Sequence, residues 1–338
     1  MTFRSTILKN AVAGIAVTSA ALTFGMSAAL ADTTLRLAIP DPAHSSVGRA
    51  ASEFARLVEE KTDGEVNAQI FADGVLFSGD QNAAINQLGS GALDGLVLAS
   101  SVYASFIPQM NAISLPYLFK DYDEFQAYLK GEPGQQLLSE LDRLNIHGLG
   151  LFLRTFRDVT TRDTPITEMS DFEGLTLRTP NNPLFVTLFK SLGANPTPMA
   201  FSEVYSALQL KAIDGQENPV EVPLNNRFYE VQGQLNLTQH VADAFVLALS
   251  ERAWQKIPEQ YQDEVQAAAD EMIERHSREE IAQEQSIIDE LRQKGMQVNE
   301  LTPEAKEAIR KQARGLYDQF EKDIGADFIR TSVDFVGK

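Results

Sequence analysis

The sequence predicts an α/β protein built as two lobes. Three observations carry that prediction. Short apolar runs alternate with amphipathic helical patterns as far as about residue 250, the signature of sheets with crossover helices. A helix-to-strand turn occurs twice with matched flanks, which points to two α/β lobes of similar build. The chain then becomes helix-rich without any low-complexity linker, so two lobes in one such chain imply that it crosses between them more than once.

The elements follow in order. Thr34–Ile39 reads as a strand. Val47–Lys61 carries apolar residues at 47, 50, 51, 54, 55, 57 and 58, the spacing of an amphipathic helix. Gly64 is placed to end it. Val66–Phe71 reads as a strand and Asp80–Leu88 as a helix. Leu93–Ala99 is nearly all apolar, as in a strand covered on both faces. The repeated turn is Gln87-Leu88…Gly91-Ala92-Leu93-Asp94-Gly95 against Gln209-Leu210-Lys211-Ala212-Ile213-Asp214-Gly215. In both, Gly is expected to take backbone conformations that other residues resist. Beyond Ser250, apolar residues at 261, 265, 268, 269, 272 and 273 predict one helix over about 258–294. Thirty residues or more would make it on the order of 45 Å long, enough to bridge two lobes. Pro303 suits a helix start, and Glu304–Phe320 reads as a further helix.

The first 31 residues read as an address. Arg4 and Lys9 precede a weakly apolar stretch from Ala11 to about Leu30, which closes in the A-x-A pattern Ala29-Leu30-Ala31. Cleavage after Ala31 would leave 307 residues, exported and soluble, with the periplasm as the expected location. It would also remove two basic residues and no acidic ones, taking the formal charge from −18 to −20. That balance argues against a nucleic-acid partner, which needs a basic footprint, and against an anionic membrane surface. The chain has no Cys, which excludes a thiolate nucleophile, a disulfide framework and a Cys-ligated metal. Its four His, at 44, 147, 240 and 276, show no metal-ligand spacing. No metal or cofactor is expected.

Catalytic signatures are missing from the sequence: no nucleophile elbow, phosphate-binding loop, zinc-protease helix or dinucleotide fingerprint. Binding signals are better. Gly174-Leu175-Thr176-Leu177-Arg178-Thr179-Pro180 is a strand with Arg near its carboxyl end, where open α/β sheets bind ligands. The planar fork of Arg can hold a carboxylate through two parallel hydrogen bonds. Arg154 and Arg157 lie beside another strand, and Asp214-Gly215-Gln216-Glu217-Asn218-Pro219 is polar where an element has just ended. An Arg paired with a surface acid, or a plain Asn-Pro turn, would explain the same residues without a ligand.

These segments, with Leu192-Gly193-Ala194-Asn195-Pro196-Thr197-Pro198-Met199, Phe201-Ser202-Glu203-Val204-Tyr205, Phe228-Tyr229-Glu230-Val231-Gln232 and Ile113-Ser114-Leu115-Pro116-Tyr117-Leu118-Phe119, form one ordered series. It resembles the solute-binding proteins of tripartite ATP-independent periplasmic (TRAP) transporters of the dicarboxylate and sugar-acid type, over essentially the whole chain after residue 31. The resemblance implies a two-lobed trap that closes on a small organic anion and delivers it to a small and a large membrane subunit. It places the carboxylate-binding Arg at Arg178 and a second at Arg157, with Arg154 as the alternative. It also implies ligand contacts from Asn218, from Phe201 and from Gln81, the last where the sialate-binding branch has an acid. That branch also carries charged residues where this chain has Ala99 and Val102, and an Asn-containing turn where it has Pro40-Asp41. A smaller anion than sialate is therefore expected: a uronate or aldonate, a hydroxy acid, a C4-dicarboxylate or a small sulfonate. The implied division is 32–154 with about 244–257 in the first lobe, 155–243 with about 300–338 in the second, and 258–294 spanning both. Two other readings, an exported organic-acid enzyme and a sensory binding module docking on a receptor, remain open at this point.

Overall fold

The computed structural model describes residues 33–337. The expected leader, 1–31, lies outside them. Eleven strands are described: β1 (Thr33–Ala38), β2 (Val66–Phe71), β3 (Gly95–Ala99), β4 (Ile146–Leu153), β5 (Arg157–Thr161), β6 (Thr176–Thr179), β7 (Asn195–Pro198), β8 (Gly215–Pro219), β9 (Gln234–Val241), β10 (Ala244–Ser250) and β11 (Gln297–Glu300). They form two mixed sheets, in the orders β2-β1-β3-β10-β4 and β11-β9-β5-β8-β6-β7. Parallel pairs (β1 with β2 and β3, β6 with β7 and β8) are joined through helices, while β10 and β5 insert antiparallel.

Local sequence accounts for the first lobe's helices. Ser45 caps Ser46–Lys61 by accepting from the Gly48 N–H, and Val47, Ala50, Ala51, Phe54, Leu57 and Val58 bury one stripe against the first sheet. Asp80 caps Gln81–Gly89 in the same way through the Ala83 N–H. The all-apolar β3 lies mid-sheet with Leu96, Val97 and Leu98 buried.

The repeated turn has the same construction in both lobes, and the expected left-handed backbone occurs at Gly91 (φ 73°) in one copy and at the matching Lys211 (φ 59°) in the other. Asp94 accepts from the backbone N–H of Arg36 at 3.1 Å, and Asp214 from that of Thr176 at 2.8 Å, so each Asp ties the turn to a neighbouring strand. Neither Gly95 nor Gly215 has a positive φ. What excludes a side chain is close approach: a Cβ at Gly215 would lie 2.2 Å from the Thr160 carbonyl oxygen, and one at Gly95 would lie 2.9 Å from Leu37 and Leu249.

The helix Glu259–Gln293 has 35 residues, about 52 Å at the standard rise. Its first half buries Val265, Ala268, Ala269, Met272 and Ile273 with the first sheet, and Ile288 and Leu291 near its end join Val220, Leu235 and Met296 on the second. No helix among the described residues is long and apolar enough to cross a membrane. The expected helix Glu304–Phe320 is shorter, Pro303–Arg314, ending at Gly315. The C-terminus also departs from the expected division. Pro303–Arg314 packs on the second lobe's Pro183–Ser191, but Glu321–Ile324 and Ala326–Val336 pack on Pro108–Ala112 and Tyr122–Lys130 of the first. Phe320, Ile324, Phe328 and Ile329 enter the same apolar cluster as residues of both sheets, so burial draws the terminal turns back across.

Glu280, midway along the long helix, is buried, and the half-exposed Arg49, at 3.4 Å, is the one Lys or Arg paired with it among the described residues. Burial, reinforced by the nearby Glu221, pushes its carboxyl up to about 7. A group that holds its proton more tightly when folded costs stability as pH rises from its ordinary value near 4.5 towards 7. Burial depresses His276, one turn away, to about 3, which costs stability in the opposite direction, as pH falls below 6.5. Comparing variant with wild type removes that second contribution. Glu280→Gln should therefore match the wild-type melting temperature near pH 4.5 and exceed it increasingly up to pH 7.5, by on the order of 1–3 kcal/mol in stability. A difference that does not change with pH would show that Glu280 is charged when folded.

Candidate functional site

The topology brings one end of each sheet to a common cleft. Parallel β1 and β3 end at Ala38 and Ala99, and antiparallel β10 starts opposite, with Phe245 paired to Ala99. In the second lobe, β6 and β8 run parallel and end at Thr179 and Pro219, where antiparallel β5 starts at Arg157. The chain crosses between the sheets at 154–156, at 242–243 and along the long helix. A cavity at this junction is lined by Asp41, Gln81, Ala99, Val102 and Phe245 from the first lobe's segments, Arg154 from a crossing, and Arg157, Arg178, Phe201 and Asn218 from the second. All five residues expected at the site, Arg178, Arg157, Asn218, Phe201 and Gln81, meet here, as does Arg154. A larger concavity, about 550 Å³, lies along β4 beside the long helix, but its charged groups (Lys130, Asp142, Asp270, Glu274) are not the buried ones.

Two of the three guanidinium groups are already committed. Arg157 donates through Nε and Nη2 to the two carboxylate oxygens of Glu217, at 2.5 and 2.8 Å, through Nη2 to the Glu217 carbonyl, and through Nη1 to Asp243 at 2.8 Å. Four of its five N–H groups are thus used. Arg154 donates to the same Asp243 oxygen at 3.1 Å and to Glu221 at 2.9 Å, leaving its buried Nε without a partner among the described residues. Burial works against the charge on Glu217, but Arg157 and His240 hold its carboxyl below the usual range. Burial lowers His240, which bonds Glu217 at 3.2 Å and Thr238 at 2.8 Å. Asp243 and Arg154 stand on the two strand crossings, also joined by the Arg154 N–H to the Asp243 carbonyl, so this ion network ties the crossings together.

Arg178 is different. It is 4% exposed, yet no carboxylate among the described residues pairs with it. Nε and Nη2 donate to the Met199 carbonyl at 3.2 and 2.9 Å, leaving three N–H groups without a protein acceptor. Its guanidinium carbon lies 6.0 Å from the Phe201 ring centroid. Burial lowers it to about 10, and Arg157 adds to that while Glu217 works against it. A buried cation short of acceptors has an energetic need that an incoming carboxylate meets. Asn218 fixes its amide by donating to Gln216 at 2.7 Å, which leaves its carbonyl oxygen available. Gln81 opens the helix that Asp80 caps.

Several residues of the site were not singled out in the sequence. Glu217 lay within the recognised segment Asp214–Pro219, and an ionisable residue in a strand that folds fully buried is the signal that could have marked it. Asp243 and Glu221 carry no such local signal, since their meaning arises only where distant segments converge, and Asp41 was marked only with Pro40, as a departure from the turn of the sialate-binding branch.

The sequence profile of bacterial extracellular solute-binding protein, family 7 (DctP), matches residues 38–323. The chain belongs to this family. Its members are solute-binding proteins, not enzymes, and the fold agrees with theirs. The sialic acid-binding periplasmic protein SiaP of Vibrio cholerae is 33% identical over 93% of this chain and 96% of its own. The sugar acid binding protein DctPAm of Advenella mimigardefordensis, solved with galactonate, superposes with a TM-score of 0.86 at 29% identity, covering 90% of this chain and 97% of that one. A TRAP periplasmic solute binding protein of Sulfurospirillum deleyianum, solved with succinate, gives 0.83 at 29% identity over 89% and 98%.

Removing one partner of a buried ion network costs roughly 3–5 kcal/mol, because the remaining charge is stranded. Asp243→Asn strands parts of two guanidinium groups at once. Its melting temperature should fall by at least about 5 °C at neutral pH, given roughly 2–4 °C per kcal/mol in domains somewhat smaller than this one. An unchanged melting temperature would mean that water already screens the network.

Proposed function

We propose that this chain is the solute-capturing subunit of a TRAP secondary transporter. It takes a small organic acid into the cleft, closes about the crossing segments, and presents the closed complex to a small and a large membrane subunit. The observation that carries the reading is the buried Arg178, three of whose N–H groups have no acceptor and whose charge has no paired carboxylate among the described residues. Export to the periplasm after loss of residues 1–31 places the protein where such capture is useful.

In this reading Arg178 holds the ligand carboxylate, Asn218 contributes its carbonyl oxygen, Phe201 packs on the ligand, and Gln81 reaches it from the first lobe. Arg157, with four of its five N–H groups engaged, offers one further donor and chiefly supplies a fixed positive wall. Closure buries the carboxylate with its cation, where the interaction is much stronger than in water. The negative net charge of the whole protein is no obstacle, because charges beyond ~10 Å are largely screened at 0.1 M salt.

A thermal-shift screen of the protein lacking residues 1–31 against uronates, aldonates, hydroxy acids, dicarboxylates and small sulfonates should reveal a stabilising anion, since a ligand that binds only the folded state raises the melting temperature. Arg178→Ala should weaken its binding at least about a hundredfold by calorimetry, the loss expected when a buried pair loses its cation. Wild-type affinity in Arg178→Ala would overturn the assignment.

A further inference from the structure

The rim of the cleft carries a hydrogen-bonded contact between the lobes that the carboxylate reading does not use. Asn182 follows the end of β6, four residues beyond Arg178. Its Oδ1 accepts from the Leu184 N–H at 2.9 Å and so caps the second lobe's helix Pro183–Ser191. That bond fixes which way the amide points, because an N–H must meet the oxygen. The Nδ2 is left to donate across to the first lobe. There it meets the Ser101 carbonyl at 3.0 Å and the Asn111 Oδ1 at 2.7 Å. Asn182, Ser101 and Asn111 are all buried.

The contact is placed to act on the cleft. Ser101 and Pro180 line the cavity together with Arg178. One turn on, the Ser105 hydroxyl donates to the Asn181 carbonyl at 3.4 Å, so segments 101–105 and 180–182 meet along a seam. Ser101 is itself held, its hydroxyl donating to Asp243 of the ion network at 3.3 Å. The first-lobe side of the seam is therefore tied to the crossing. The helix that Asn182 caps packs mainly on its own lobe, against β6, β7 and Pro303–Arg314.

Closing an empty cleft takes Arg178 out of water with three N–H groups unmet, and that cost works against the hydrogen bonds of the seam. Once an acid meets those N–H groups, the opposing cost is gone. We infer that Asn182 is a positioning residue for capture: its amide latches the loaded second lobe to the first and so tightens the hold on the anion. The inference rests on the reading of Arg178 as the anion contact and adds what keeps the loaded cleft closed.

The test separates the latch from the cap. Asn182→Ser keeps a side-chain oxygen able to cap the helix, but is too short to bridge the seam. Asn111→Ala removes one acceptor from the first-lobe side. Galactonate, glucuronate, erythronate and succinate are titrated by calorimetry into each protein lacking residues 1–31. The acid that wild type binds most tightly should bind Asn182→Ser about tenfold more weakly, the net weight of two hydrogen bonds. Asn111→Ala alone should weaken it about threefold, which keeps the comparison if Asn182→Ser fails to fold. Adding Asn111→Ala to Asn182→Ser should cost nothing further, because the bond is already gone. The ligand-free melting temperature of Asn182→Ser should fall by less than about 2 °C, since the cap is kept. The chain has no Cys, so Val75→Cys and Leu210→Cys, exposed on different lobes, can each take a spin label. At equal acid concentration the distance between the labels should be wider in Asn182→Ser than in wild type. Wild-type affinity in the folded Asn182→Ser, or additive losses in the double variant, would overturn the latch. No binding of the four acids to wild type, or binding that survives Arg178→Ala, would overturn the underlying reading instead. The label distances of the acid-free proteins then decide the latch, which falls if Asn182→Ser is no wider than wild type.

Discussion

A buried guanidinium group must be matched by an acceptor or it destabilises the fold that holds it. The structure applies this rule twice, with opposite outcomes. Around Arg154 and Arg157 it is met by Glu217, Glu221 and Asp243, which turns the point where chain segments pass between the lobes into a rigid electrostatic joint. At Arg178 only the Met199 carbonyl is supplied. The group stands near the end of β6, beside a cavity, and in the proposed reading the missing acceptor is what a ligand brings.

Placing the two kinds of Arg together has a physical use. The joint keeps positive charge beside the cleft without offering much of it for binding, so the cleft stays favourable to an anion while its specificity depends on few groups. The relatives solved with galactonate and with succinate show that this fold accommodates both kinds of acid, so the choice has to be made by side chains lining the cleft and not by its architecture.

Much of this was legible in the sequence. The alternation of strand and helix patterns, the 35-residue helix and the position of Arg178 near the carboxyl end of β6 follow from periodicity and local motif. The five expected site residues converge on one cavity. What escaped was anything decided by long-range pairing. Arg157 and Arg154 look alike in sequence, and only the positions of Glu217, Glu221 and Asp243 show how fully each is engaged. In the repeated turn the conformational role falls to Gly91, whereas Gly95 and Gly215 are needed for steric reasons that the sequence does not show, because the strand that crowds each of them is distant in sequence. The resemblance implied the second lobe for about 300–338, whereas apolar burial draws Phe328 and Ile329 towards the first.

The three crossings between the sheets, with the C-terminal turns that return to the first lobe, have a consequence for mechanics. Two short segments pinned to each other by Arg154 and Asp243, with a long helix embedded in both cores, leave little freedom for one half of the molecule to slide or twist past the other. The remaining soft coordinate is a swing about an axis through that pinned point. A hinge of this kind opens like a book, with its spine where the charges are densest, so in the proposed capture a guest enters from the side on which the pages part.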